Sequence, residues 1–130
     1  MNAFIHGLCL ACALGMALPA NAAIKVLATT SDWGSLVTEL GGDNVNVYTA
    51  TSPLQDVHRV DAKPSLVARA RSADLIVATG AELESGWLPV LLQESGNSKI
   101  QPGAPGYFEI TSALRLLDIP AAADRSMGDV

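Results

Sequence analysis

Cysteine is scarce in this 130-residue chain, and it is confined to one end. Both cysteines, Cys9 and Cys12, lie in an apolar amino-terminal segment. A mature protein that begins after this segment has no thiol, so it forms no disulfide and offers no thiolate to a metal. Any metal chemistry in the mature protein must therefore come from histidine and carboxylate side chains.

Positive charge is also scarce. The chain has 8 lysines and arginines against 13 aspartates and glutamates, which gives a net charge of −5 at pH 7. Nucleic-acid-binding domains usually carry a basic stripe, and this sequence has none, so nucleic acid is not an expected partner. A mildly acidic surface suits a protein that meets cations.

The motifs of several common enzyme classes are missing. No serine stands in a Gly-x-Ser-x-Gly turn, and after residue 22 only one histidine, His58, could activate a serine. The segment at Gly80 has neither the glycine spacing nor the lysine of a phosphate-binding loop. These absences favour a binding protein over an enzyme.

The first 22 residues contain no lysine or arginine and carry an apolar run from Leu8 to Leu18. This run is too short for a stable membrane anchor, which needs roughly 20 apolar residues. Ala20-Asn21-Ala22 follows it as a small-x-small cleavage site. We therefore predict a cleavable signal peptide over residues 1–22, export to the periplasm, and one mature domain over residues 23–130.

Cys12 is the residue that could instead carry a lipid. Leu10-Ala11-Cys12 faintly resembles the cleavage box of a lipoprotein. Cys9 stands where such a box usually has an aliphatic residue, so cleavage after Ala22 without lipidation is favoured.

Three short segments predict strands. Residues 24–29 are aliphatic and predict a buried strand, residues 45–50 alternate, and residues 74–79 are almost continuously apolar, as in a strand covered on both faces. Helical patterns separate them along the chain. Strands that alternate with helices at this spacing predict right-handed βαβ units, and hence an α/β fold with a parallel sheet flanked by helices.

The helices are predicted from apolar spacing and from their end signals. Ser31 offers an N-cap for the first helix, Pro64 begins the second, and Pro89 bends or delays the third before Gly96 ends it. Residues 96–106 read as a loop and residues 110–117 as a further helix. The apolar stripe of the first helix is expected to dock on the sheet, and it consists of Trp33, Leu36, Val37 and Leu40.

Ligands of open parallel sheets bind beyond the carboxyl ends of the strands. Three loops leave those ends: one with residues 30–33, one with Asp56 and His58, and one with residues 80–84. The order of the elements alone predicts that these loops share one rim of the sheet.

His58 is the candidate metal ligand on this rim, since imidazole is a common ligand of zinc-like ions. A zinc site needs about four protein ligands, or three with water. The carboxylates that could join His58 are Asp56, Asp61, Glu82 and Glu84, each of which is expected to be a solvated charge. The residues alone therefore indicate only half of a site.

Five ordered segments carry a family resemblance. They are Thr29-Thr30-Ser31-Asp32-Trp33, Gly41-Gly42-Asp43, Asp56-x-His58 with Pro64-Ser65, Ala73-Asp74-Leu75, and Thr79-Gly80-Ala81-Glu82-Leu83-Glu84-x-Gly86-Trp87. Together they resemble the solute-binding proteins of zinc and manganese ABC transporters, the metal-specific cluster of periplasmic binding proteins. The resemblance runs from about Ile24 to the end of the chain.

The resemblance implies a protein of two α/β lobes joined by a long helix. Such a protein binds one divalent metal ion, zinc or manganese, between its lobes and delivers it to a membrane permease. The family's first histidine ligand, in its Asp-Pro-His motif, falls on His58, with Val57 in place of the proline.

The family's other ligands fall on no residue of this chain. A second histidine is expected soon after a segment like Met127-Gly128-Asp129-Val130, with which the chain ends. We therefore expect an amino-terminal lobe without its second lobe, with weak metal binding and some self-association through uncovered apolar surface.

Two other functions are compatible with the residues. One is a lobe that binds an organic solute at the same rim, and the other is a fragment of an exported hydrolase. An aromatic-lined pocket and insensitivity to chelators would favour the first, whereas zinc-dependent hydrolysis would favour the second.

Overall fold

The computed structural model describes residues 22–116. The predicted signal peptide lies outside the described residues except for Ala22, and so does the segment from Met127 to Val130. Within the described range, no helix is both long and apolar enough to span a membrane.

Four parallel strands form one sheet in the order β2-β1-β3-β4. The strands are β1 (Ile24–Ala28), β2 (Val45–Thr49), β3 (Leu75–Ala78) and β4 (Tyr107–Glu109). The helices are α1 (Ser31–Gly41), α2 (Pro64–Ser72) and α3 (Leu88–Ser95), with short 3₁₀ turns at residues 42–44, 98–100 and 110–113. The predicted α/β fold with a parallel sheet and flanking helices is confirmed.

The main core lies between the sheet and the pair α2 and α3. Leu27 of β1 and Ile76 of β3 are fully buried there against Leu66 and Leu91 of the two helices. Pro64 begins α2 as predicted, and Pro89 delays α3, which starts only at Leu88. A proline in the first turn loses no helical hydrogen bond, because the amide groups there have no partner within the helix.

The predicted docking of α1 is only partly right. Trp33 and Val37 are half-buried, but Leu36 and Leu40 are largely exposed, at 43% and 78%. The reason is the position of α1, which packs mainly on β2, the edge strand. Half of its apolar stripe therefore extends past the edge of the sheet.

The carboxyl-terminal part of the described chain departs furthest from the sequence analysis. β4 was not predicted, because its three residues follow a segment rich in glycine and proline. The helix expected over residues 110–117 is only a 3₁₀ turn, Ile110–Ala113, and residue 117 lies outside the described range.

Gly34 sets how closely α1 approaches β2. It is the buried residue of α1, and a Cβ atom added there would collide with the hydroxyl of Thr49. Alanine usually favours a helix over glycine by about 1 kcal/mol. We expect Gly34→Ala nevertheless to lower the free energy of unfolding by about 1–2 kcal/mol, because overpacking outweighs propensity.

Urea denaturation would measure this loss, with Ser35→Ala as the control. Ser35 is exposed on the same helix, so its replacement should change stability by less than about 0.5 kcal/mol. A stabilised Gly34→Ala protein would contradict the close packing of α1 on β2.

Asp74 lies at the amino-terminal ends of the two central strands, just before β3 and beside the start of β1. Its Oδ1 accepts a hydrogen bond from Lys99 Nζ at 2.9 Å, and its Oδ2 accepts one from the backbone amide of Lys25 at 3.1 Å. The hydrogen bond from the Lys99 side chain lowers the pKa of Asp74 most, and the hydrogen bond from the Lys25 amide lowers it further. The resulting stabilisation is present above the pKa of the unfolded side chain and is lost as the pH falls through the lowered, folded-state pKa.

We expect Lys99→Met to raise the pKa of Asp74 toward the ordinary value of about 3.9, because the largest cause of the shift is removed. The amide of Lys25 remains, so the pKa should stay somewhat low. NMR titration of the Asp74 carboxyl carbon measures this change. The exposed Lys63 is the control, and Lys63→Met should leave the Asp74 titration unchanged.

Candidate functional site

The loops that follow β1, β2 and β3 meet at one rim, as the order of elements predicts. The indole Nε1 of Trp33 donates a hydrogen bond to Thr79 Oγ1 at 2.9 Å, which joins the first loop to the third. The hydroxyl of Thr51 donates to the carbonyl oxygen of Thr29 at 2.9 Å, which joins the second loop to the first. All three loops are thus connected by polar contacts.

Glu84 places a buried carboxyl group at this rim. It is only 3% exposed, and its Oε1 accepts hydrogen bonds from Thr29 Oγ1 at 2.6 Å and from the amide of Thr79 at 2.8 Å. Its Oε2 accepts one from the amide of Gly80 at 3.1 Å. The expectation that Glu84 is a solvated charge was wrong, because its partners are backbone amides and a distant threonine that sequence spacing does not reveal.

The turn after β3 has an unusual backbone. Gly80, Ala81 and Glu82 have φ angles of 84°, 51° and 67°, so three successive residues adopt the left-handed region. Such conformations are costly for residues other than glycine and persist only where the surroundings impose them. The hydrogen bonds from residues 79 and 80 to Glu84 close this turn and hold it.

His58 lies on the second loop, beside the turn after β3. Its side chain is 63% exposed. The loop is fastened there because the indole Nε1 of Trp87 donates a hydrogen bond to the carbonyl of Val57 at 2.8 Å. Gly86 also lies against the carbonyl of His58, since a Cβ added at Gly86 would be 3.1 Å from that oxygen. The predicted metal ligand is therefore solvent-accessible at the rim.

Asp56 is the side chain next to the imidazole. Its Oδ1 lies 3.2 Å from His58 Nδ1 and accepts a hydrogen bond from the His58 backbone amide at 2.9 Å. The hydrogen bond from the backbone amide of His58 lowers the pKa of Asp56 most, and the hydrogen bond with the His58 ring lowers it further. Arg59, whose Nε lies 3.8 Å from Oδ2, adds a weaker electrostatic attraction. Asp56 is therefore anionic at neutral pH, next to the candidate ligand.

The other candidate carboxylates do not complete a site with this pair. Asp61 and Glu82 are exposed, as expected, and Glu84 is used inside the fold. Within residues 22–116, no three histidine, cysteine, aspartate or glutamate side chains are grouped so as to hold a metal ion. The structure thus brings together two of the five residues that the sequence singled out.

The aromatic residues serve mainly as structural parts of this rim. Trp87 is buried in the core at 3% exposure. Trp33 lines a recess of about 280 Å³ between the first two loops, together with Gln55, Val57 and Leu83. The recess lies beside the Asp56–His58 segment, because residues 55 and 57 of that segment form part of its wall.

Comparison with known proteins identifies related molecules. A family model described as zinc-uptake complex component A, periplasmic, matches residues 26–120. The iron ABC transporter substrate-binding lipoprotein MtsA of Streptococcus pyogenes serotype M1 is 24% identical over 109 residues, which cover 82% of this chain and 34% of the relative. The manganese ABC transporter substrate-binding lipoprotein PsaA of Streptococcus anginosus is 23% identical over the same length and coverage.

A solved structure shares the fold. The crystal structure of ZnuA superposes with a TM-score of 0.54 and 25% sequence identity, over 58% of this chain and 30% of that protein. The chain thus spans about a third of the length of the curated relatives it matches.

Glu84 gives a direct test of how the rim is held. Glu84→Gln replaces one carboxylate oxygen by an amide group that donates, so at least one of the three donors loses its acceptor. We expect the free energy of unfolding to fall by about 1.5–3 kcal/mol, the range for hydrogen bonds to a charged group.

Chemical denaturation measures this loss, and Glu82→Gln provides a matched control. Glu82 is exposed in the same turn, so the same chemical change there should alter stability by less than about 0.5 kcal/mol. Equal effects of the two substitutions would show that the buried carboxylate does not hold the rim.

Proposed function

The chain belongs to the family of the periplasmic component A of the zinc-uptake complex, and from this premise we propose that it captures a divalent transition metal ion, zinc or manganese, for delivery to an ABC permease. The capture takes place after export, in the periplasm. The metal is cargo that is bound and released, and the protein carries out no catalysis. The observation that supports this proposal most is the exposed imidazole of His58 at the ligand-binding rim of the sheet.

His58 is the proposed first ligand of the metal. It follows Asp56 as in the family's Asp-x-His motif, and its loop leaves the carboxyl end of β2. Val57 stands where the family has proline, but the bond from Trp87 to the Val57 carbonyl fixes the loop at that position. The support that proline would give through its restricted backbone is thus supplied by a hydrogen bond.

The described fold is the proposed amino-terminal lobe of a two-lobe protein. The matches to curated relatives cover 34% of their length, which agrees with one lobe. A second lobe would supply the remaining ligands, because a zinc site needs three or four and only one imidazole lies on the rim described here. By itself, this lobe is therefore expected to bind metal weakly.

The choice of metal is left between zinc and manganese. Imidazole and carboxylate ligands suit both ions, and selectivity depends on the full ligand set and geometry. The family description names zinc, while one of the two curated relatives is named for manganese and the other for iron.

Isothermal titration of the purified, exported chain with zinc and then manganese tests the proposal. We expect one ion per chain with a dissociation constant above about 1 μM, equivalent to less than about 8 kcal/mol of binding free energy, because the ligand set is partial. His58→Ala should abolish this binding.

Arg59→Gln is the matched control for charge and folding. Its side chain is 89% exposed on the same loop, and loss of its positive charge should leave metal binding equal or slightly tighter. Tight binding that survives His58→Ala would contradict the assignment of His58. Sedimentation of the same samples would show whether the exposed Leu36 and Leu40 cause self-association.

An organic solute is the second candidate for this rim. The recess beside Trp33 is large enough for a small molecule, and its wall combines an indole with threonine and serine hydroxyls. Binding that a chelator does not affect, and that survives His58→Ala, would favour this function over metal capture.

A further inference from the structure

The contact between Asp56 and His58 has a specific geometry. One carboxylate oxygen, Oδ1, accepts the backbone amide of His58 at 2.9 Å and faces the ring Nδ1 of the same residue at 3.2 Å. The hydrogen bond from the backbone amide fixes the position of the carboxylate, and the carboxylate in turn faces Nδ1 of the ring. The second nitrogen, Nε2, has no protein partner among the described residues.

We propose that Asp56 is a positioning residue that holds His58 as the Nδ1–H tautomer, so that Nε2 presents its lone pair to the metal. This inference rests on the proposed function, since it concerns the same ligand. Asp56 acts through the imidazole and does not itself contact the ion.

The chemistry of the two groups determines the tautomer. A neutral imidazole has one N–H donor and one nitrogen acceptor, whereas an ionised carboxylate only accepts. The nitrogen that faces Asp56 must therefore carry the proton, which leaves Nε2 as the acceptor. Histidines that bind metals commonly donate their other ring N–H to a carboxylate in this way.

The surroundings keep this pair available. Arg59 approaches the other oxygen of Asp56, Oδ2, at 3.8 Å, so it does not compete for Oδ1. Val57 lies between Asp56 and His58 in the chain, and its carbonyl accepts a hydrogen bond from Trp87. Gly86 lies against the carbonyl of His58. The backbone on both sides of the ring is thus fixed while the ring itself faces solvent.

Long-range ¹H–¹⁵N NMR of the metal-free protein measures the tautomer directly, at about pH 8, where an ordinary imidazole is neutral. His58 is the only histidine after residue 22, so His58→Ala identifies its signals. We expect mainly Nδ1–H in the natural chain. Asp56→Ala should shift the ring toward Nε2–H, the form that free imidazole side chains prefer.

Two further variants separate positioning from structure. Asp56→Asn retains an oxygen for the backbone amide of His58, so it keeps the turn while removing the charge, and it should give an intermediate tautomer ratio. Asp61→Ala removes an exposed carboxylate from the same loop that makes no hydrogen bond or ion pair with His58, and it should leave the ratio unchanged.

Zinc titration of the same variants completes the test. We expect Asp56→Ala to weaken binding about 10- to 100-fold, the range for loss of a group that orients a ligand. An unchanged tautomer in Asp56→Ala would overturn the inference even if metal binding is lost, since Asp56 would then affect binding by a route other than the tautomer of His58. A natural chain that binds neither zinc nor manganese would refute the proposed function, while the tautomer ratio would still decide the role of Asp56.

Discussion

The rim of this protein depends on one buried carboxylate. A polar group that is buried without hydrogen-bond partners is destabilising, so the buried side chain of Glu84 needs donors around it. Thr29, Thr79 and Gly80 supply them, and in doing so they fix the ends of β1 and β3 and the turn between β3 and α3. The left-handed backbone of that turn is stabilised by the hydrogen bonds that the amides of Thr79 and Gly80 donate to the Glu84 carboxyl group.

The same turn connects the buried carboxylate to the candidate ligand. The backbone amide of Trp87 donates to the carbonyl of Glu84, and the indole of Trp87 then holds the loop of His58 through the Val57 carbonyl. Trp87 is therefore hydrogen-bonded both to the backbone of the residue that carries the buried carboxyl group and to the second loop. The loop of the exposed imidazole is thus attached, through Val57, to the segment that follows the turn around Glu84.

Some strands and helices could be predicted from the sequence and others could not, for physical reasons. Strands β1 to β3 and the helices with a proline in the first turn follow from local apolar patterns, and β1, β3 and both helices contribute buried residues to the core. Strand β4 could not be predicted, since three residues in register with β3 have no periodicity of their own. The partly exposed stripe of α1 likewise depends on the strand order, because only that order places β2 at an edge.

The candidate site shows the same division. The place of His58 followed from topology, because parallel strands bring the loops after them to one edge whatever the loop sequences are. The role of Glu84 did not, because its threonine partner is 55 residues away along the chain. The pairing of Asp56 with His58 is local, at a separation of two residues, and a side-chain turn at that spacing was open to prediction.

The exposure of the imidazole has a consequence for how a carrier would work. Water surrounds most of the ring, so an ion held by His58 alone keeps most of its hydration, and the gain from one ligand is small. Strong binding would require a facing surface that adds ligands and excludes water at the same time. Under the proposed function, affinity would then depend on closure over the rim and would fall when that surface moves away. A carrier that must release its cargo to a permease needs this property, and a complete set of ligands on one lobe would oppose it.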